Sequence, residues 1–151
     1  MKKIIIVLSM LISSVAIAQK HNIVNASIAL RNAKKATGDD IGVLLAEAKD
    51  YIDLAYSNES TSNEPKMWNY RAPIYLEIAL KKPELDNKAI LKATDSYIKC
   101  LTKGKKDRII VRKWTPKEDV LAGLIQCGYK LFNLGIDKYN EGDYQSSLDF
   151  Y

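Results

Sequence analysis

The chain has 151 residues, a formal net charge of +5 and a hydrophobic fraction of 47%. So mild a positive charge does not by itself predict a nucleic-acid or membrane-surface partner. Two cysteines are too few for a small disulfide-stapled fold, and the length suffices for one domain with its own core.

Lys2 and Lys3 open the chain, and Ile4 to Ile17 is apolar except for Ser9, Ser13 and Ser14. Ala16-Ile17-Ala18 then supplies the small-x-small exit read by signal peptidase, followed by Gln19. The apolar run is shorter than the ~20 residues that span a bilayer as a helix. No cysteine follows it to accept a lipid. Residues 1–18 are therefore expected to be a cleavable signal peptide, with residues 19–151 forming the mature domain. The product would be periplasmic or secreted, with no membrane insertion after cleavage. Loss of Lys2 and Lys3 would lower the net charge from +5 to +3.

The remainder predicts helices in pairs. Ile23 to Lys35 reads as a short helix carrying Ile28, Ala29 and Leu30. Ile41, Leu45, Ala48, Ile52 and Ala55 recur at steps of three and four, which places them on one helix face. Gly38 precedes that helix, and Asp39 or Asp40 can cap it. Tyr56 to Glu64 is polar and reads as a loop. Pro65 suits the first turn of a third helix carrying Trp68, Tyr70, Ala72, Ile74, Tyr75 and Leu76. Pro73 inside it predicts a kink, since an interior proline removes a backbone hydrogen bond.

Lys82-Pro83-Glu84 breaks the chain. Asp86 can cap a fourth helix reaching about Thr102, with Ala89, Ala93, Tyr97, Cys100 and Leu101 inward. Lys103 to Lys113 is a basic connector that most simply forms a solvated loop. Thr115-Pro116-Lys117-Glu118 matches a capping box with proline at the first helical position. The helix it opens carries Leu121, Leu124, Ile125, Leu131 and Phe132 and runs to about Tyr139. Gly123, Gly128 and Gly135 lie inside it, each unfavourable by about 1 kcal/mol against Ala. Gly128 and Gly135, seven apart, are expected on one face, where they would admit a neighbouring helix. Gly142 stops this helix and Asp143 caps another that continues to Tyr151. The fold class implied is all-α, made of antiparallel helical hairpins.

The segment Trp68 to Tyr75 resembles the first helix of a tetratricopeptide repeat, with Trp68, Ala72 and Tyr75 at the Trp, small and Tyr positions. Arg71 departs from the usual Leu. Ala93, Tyr97 and Cys100 resemble a second-helix set displaced by about nine residues from the 34-residue period. Leu131, Leu134 and Gly135, then Gly142-Asp143-Tyr144, Ser147 and Tyr151, resemble the pattern without insertion. Ala48, Ile52 and Ala55 resemble an earlier, degenerate second helix. The arrangement is similar to exported repeat proteins of Bacteroidetes-type bacteria. The resemblance implies a short stacked solenoid in which Trp68, Tyr75, Tyr97 and Tyr144 are core. It also implies a non-catalytic scaffold binding another protein or peptide along a concave surface. In the family's register, Asn69, Phe132, Ile136 and Tyr139 would line that surface. The polar clamp that some relatives use for C-terminal carboxylates is not visible.

No catalytic, cofactor-binding or metal-binding residues are expected. His21 is the single histidine, and the chain lacks H-E-x-x-H, G-x-S-x-G and C-x-x-C. Cys100 and Cys127 would be staggered by ~10 Å on antiparallel helices, too far for a disulfide. No nucleic-acid partner is implied. The rival expectation is an enzyme acting on cell-envelope glycans, whose mark would be a cleft with two carboxylates about 5–10 Å apart. A third is a structural N-terminal segment of a larger protein. Leu148, Phe150 and Tyr151 bring apolar side chains to a helix with no capping helix after it. Continuation past Tyr151, or self-association through an exposed C-terminal end, is therefore expected. The reading frame beyond Tyr151 checks the first point. N-terminal sequencing of the exported product checks the signal: Gln19 should be its first residue, and an intact Met1 start would contradict cleavage.

Overall fold

The computed structural model describes residues 20–102 and 117–150. The expected signal peptide, the Lys103 to Lys113 connector, Thr115-Pro116 and Tyr151 lie outside the described residues. All regular elements among the described residues are helical, so the chain is all-α. They are α1 (20–33), α2 (Asp40–Ser57), α3 (Pro65–Lys81), a 3₁₀ turn (Pro83–Leu85), α4 (Ala89–Leu101), α5 (Lys117–Asn140) and α6 (Tyr144–Leu148). The chain divides into two compact units, Met1–Tyr70 and Arg71–Tyr151, with the division inside α3.

In the first unit, α1 buries Ile23, Ala26, Ala29, Leu30 and Ala33, at steps of three, three, one and three. Ile28 falls off that face and is exposed. Gly38 turns the chain with φ +62, a conformation that only glycine adopts without strain. On α2 the expected stripe is inward, with Leu45, Ala48, Ile52 and Ala55 buried. Asp39 occupies the N-cap position, but its backbone is already helical and its side chain makes no capping bond. Asp40 is the first helical residue, where its charge complements the positive helix end.

The polar segment after α2 is held by its own side chains. Buried Thr61 donates from Oγ1 to the Ala55 carbonyl at 2.6 Å, satisfying one of the carbonyls left open at the helix end. Asn58 Oδ1 accepts from the backbone N–H and the hydroxyl of Ser60. Pro65 opens α3, where its missing N–H costs nothing. Met67 and Trp68 are buried, and the Trp68 ring meets Tyr56 edge-on at 5.5 Å between centroids.

The second unit begins within α3, which continues through Pro73 to Lys81. Ala72, Ile74, Tyr75, Leu76, Ile78 and Ala79 are buried. So is Arg71, at the position where the resemblance expects Leu. Its Nη1 donates to Ser96 Oγ at 2.8 Å and to the Lys92 carbonyl at 3.3 Å, joining α3 to α4. Its guanidinium also lies 4.7 Å from the centre of the Tyr75 ring. Burying a cation is costly unless such partners replace water, and here a hydroxyl, a carbonyl and an aromatic face do so.

Asp86 accepts from the Lys88 N–H and from Lys92 Nζ, so it shapes the turn into α4 and does not cap the helix itself. On α4, Ala89, Ile90, Ala93, Ser96, Tyr97 and Cys100 are buried. The close approach between α4 and α5 falls at Gly123. A Cβ placed there would overlap the Tyr97 ring. Gly128 has nothing within 4 Å of its Cβ position, so among the described residues no neighbouring helix approaches it. Gly135, one heptad on, is buried and its carbonyl accepts from Ser147 Oγ at 2.8 Å. The two glycines share a face as expected, but α6 covers only its C-terminal part.

Gly142 reverses the chain at φ +81, and Asp143 caps α6 by accepting from the Ser146 N–H at 3.1 Å. A hydrogen bond with the Ser146 side chain first, and this backbone bond second, hold the Asp143 carboxyl below its ordinary range. The helix is shorter than expected, ending at Leu148 with Asp149 as its C-cap. Tyr144 stacks edge-on against Tyr139 but is exposed, which corrects its expected place in the core.

Gly123→Ala should destabilise the fold by about 1–3 kcal/mol, because the Tyr97 ring must move away. Gly128→Ala should stabilise by up to about 1 kcal/mol through helix propensity alone. Urea denaturation of the two variants checks both signs.

Candidate functional site

Helix α5 carries apolar residues on two faces. Val120, Gly123, Cys127 and Gly135 are buried. Leu121, Ile125, Tyr129, Phe132, Ile136 and Tyr139 succeed one another at steps of three and four and form a second stripe, which is exposed. Ile125 is 58% exposed, Phe132 52% and Tyr129 70%. At 1.5 Å per residue the stripe is ~27 Å long. The T-shaped contact of Tyr139 with Tyr144, at 5.2 Å between ring centroids, carries it onto α6, where Leu148 is also exposed. Scattered exposed apolar residues are ordinary on protein surfaces, whereas a contiguous apolar row of this length is uncommon.

The stripe is also uncharged. Between Asp119 and Asp137 the single charged residue of α5 is Lys130. Lys130 is half-buried and lines a cavity of about 260 Å³ with Ala79, Pro83, Asp86, Ile90 and Leu134. Asp86 is the one carboxylate on that lining, and it is engaged by Lys92 at 2.6 Å. This cavity therefore does not offer the carboxylate pair of a glycan hydrolase.

Of the residues expected to form a binding surface, Phe132, Ile136 and Tyr139 lie together on the exposed stripe of α5. Asn69 belongs to the first unit, on α3, and is half-buried. Leu121, Ile125 and Tyr129 were not foreseen as surface. Their spacing is visible in the sequence, but only the position of α4 tells which apolar face of α5 is covered. The first unit holds a second feature the sequence did not reveal. A hollow of about 340 Å³ is lined by Ser27, Leu30, Arg31, Lys34, Lys35 and Tyr70. Its cations sit at the C-terminal end of α1, where they complement the negative end of the helix dipole.

Cys100 and Cys127 are buried free thiols. Burial pushes the Cys100 thiol up to about 12. Burial raises Cys127 also, partly offset by a side-chain hydrogen bond with Thr94. Burial, with the neighbouring thiols adding to it, drives the Tyr97 hydroxyl well above its ordinary value. No group of three or more His, Cys, Asp or Glu among the described residues is placed to hold a metal ion. Among the same residues no helix is long and apolar enough to cross a membrane.

Comparison of the chain with protein-family models, with curated proteins and with solved structures finds no match.

The thiols set a pH dependence. Above about pH 9 the unfolded chain releases the Cys100 proton while the folded chain keeps it up to about 12. The unfolded state then binds fewer protons, so stability falls as pH rises through that window. Cys100→Ala should show a shallower fall between about pH 8 and pH 10.5, whatever its starting stability, in urea titrations across that range.

Proposed function

We propose that this chain is an exported, non-catalytic protein-binding scaffold built of tetratricopeptide-like helical hairpins. The observation that carries the reading is the exposed, charge-free apolar stripe of α5. A stripe of this length and composition fits the apolar face of another helix or an extended peptide. It has no charged groups with which to grip a nucleic acid or an anionic small molecule.

The hairpin of α5 and α6 supports the family reading. Its turn is Gly142-Asp143, with glycine at positive φ and Asp143 as cap. Small residues meet where the two helices cross, Ser147 against Gly135. The Lys2-Lys3, apolar run and Ala16-Ile17-Ala18 series supports the proposed export, to the periplasm or outside the cell.

The test is a photo-crosslinking residue at Phe132, with a control at exposed Glu59 in the turn after α2. Irradiation of the producing cells should give a discrete protein adduct from Phe132 and none from Glu59. Absence of any adduct at Phe132 would sink the reading.

A further inference from the structure

We propose that the occupant of the α5 stripe is the α5 stripe of a second copy, packed antiparallel across a two-fold axis. The proposal rests on the reading of that stripe as a protein-binding surface and names its partner. The first argument is register. Ile125, Tyr129, Phe132 and Ile136 are separated by four, three and four residues, a spacing that reads the same in either direction. An antiparallel copy centred between Lys130 and Leu131 therefore sets Ile125 against Ile136 of its mate and Tyr129 against Phe132. Leu121 and Tyr139, one residue off the same mirror, extend the contact at both ends. A self-complementary patch of this kind is what a two-fold interface requires, since each contact must occur twice with the roles exchanged.

The second argument is charge. No charged residue lies on the stripe from Leu121 to Ile136, so two copies meet without opposing like charges. Lys130, the residue nearest the axis, is turned away into the cavity beside Asp86 and Leu134. An acidic or basic peptide would find no counter-charge here, whereas an identical apolar stripe matches in length and polarity.

The third argument is area. The exposed surface of the six stripe residues offers at most roughly 700 Å² per copy, just below the ~800 Å² per partner of a stable complex. Large side chains dominate it, with the Tyr129 and Phe132 rings at the centre, where binding energy concentrates. Antiparallel alignment also sets the positive end of each helix beside the negative end of its mate.

The experiment uses the full chain in analytical ultracentrifugation between about 1 and 100 µM, the range in which an interface of this size associates. The wild-type chain is expected to sediment as a dimer. Ile125→Glu with Phe132→Glu should be monomeric, weakening association by at least about 100-fold, since each copy would carry two unpaired charges into the interface. Both substitutions are at exposed positions, so the helical circular dichroism of the variant should match the wild type, and its melting curve should match that of wild type diluted until it is monomeric.

Orientation is read by mixing differently tagged Ile125→Cys and Ile136→Cys chains under oxidation. Antiparallel packing gives the mixed disulfide. Disulfides between two Ile125→Cys chains require parallel packing, because the antiparallel pair holds those positions ~16 Å apart, beyond disulfide reach. A monomeric wild type, a dimer that survives the double glutamate variant, or like-with-like disulfides would each overturn the proposal. If the chain is monomeric but Phe132 photo-crosslinks to a different protein, self-association fails and the scaffold reading stands. A monomer with no adduct at all removes both.

Discussion

The second unit depends on one contact, the Tyr97 ring lying on the bare backbone of Gly123. The ring comes so near that even a methyl group at Gly123 would overlap it. That proximity brings α4 and α5 together along the faces carrying Cys100 and Cys127. It keeps both thiols dry and sets the faces α5 turns inward and outward. A glycine within a helix is unfavourable by roughly 1 kcal/mol. Here the loss is offset by dispersion contacts and by burial of an aromatic ring.

Much of the architecture was legible in the sequence because it rests on local chemistry. The stripe on α2, the proline starting α3, the break at Lys82-Pro83, and the Gly142-Asp143 turn each depend on residues a few positions apart. Contacts between distant segments were less legible. Gly123, Gly128 and Gly135 look alike as residue types, yet one admits an aromatic ring, one faces open space and one accepts a hydrogen bond from α6. What stands opposite a glycine is decided by another helix, and spacing along its own helix does not contain that information.

Arg71 shows the same limit more sharply. A lone arginine in an amphipathic helix is ordinarily solvated, and its place at a usual leucine position looked like a simple departure from pattern. The fold buries it because partners converge from α4, twenty-one and twenty-five residues away. Lys92 contributes twice. Its carbonyl accepts from Arg71, and its ammonium lies 5.0 Å from the Tyr75 ring while meeting Asp86. Replacing an apolar contact by this polar one trades packing energy for a directional junction between α3 and α4. A guanidinium between a hydroxyl, a carbonyl and an aromatic face tolerates less sliding than leucine on leucine.

The two faces of α5 can be compared by the same reasoning. The inner face uses small residues, Gly123, Cys127 and Gly135, so that neighbouring segments approach closely. The outer face uses large ones, Ile125, Tyr129, Phe132 and Tyr139, all of them exposed. A surface held only for solubility would place charges at such positions. Instead the charges of α5 are gathered at its two ends, with Lys130 alone between them on the covered side. Large side chains separated by hollows can interdigitate with a similar row, whereas small flat ones cannot, because ridges need grooves. Under the dimer proposed above, the mirror-symmetric spacing of the outer face lets one stripe meet an identical one with every contact made twice.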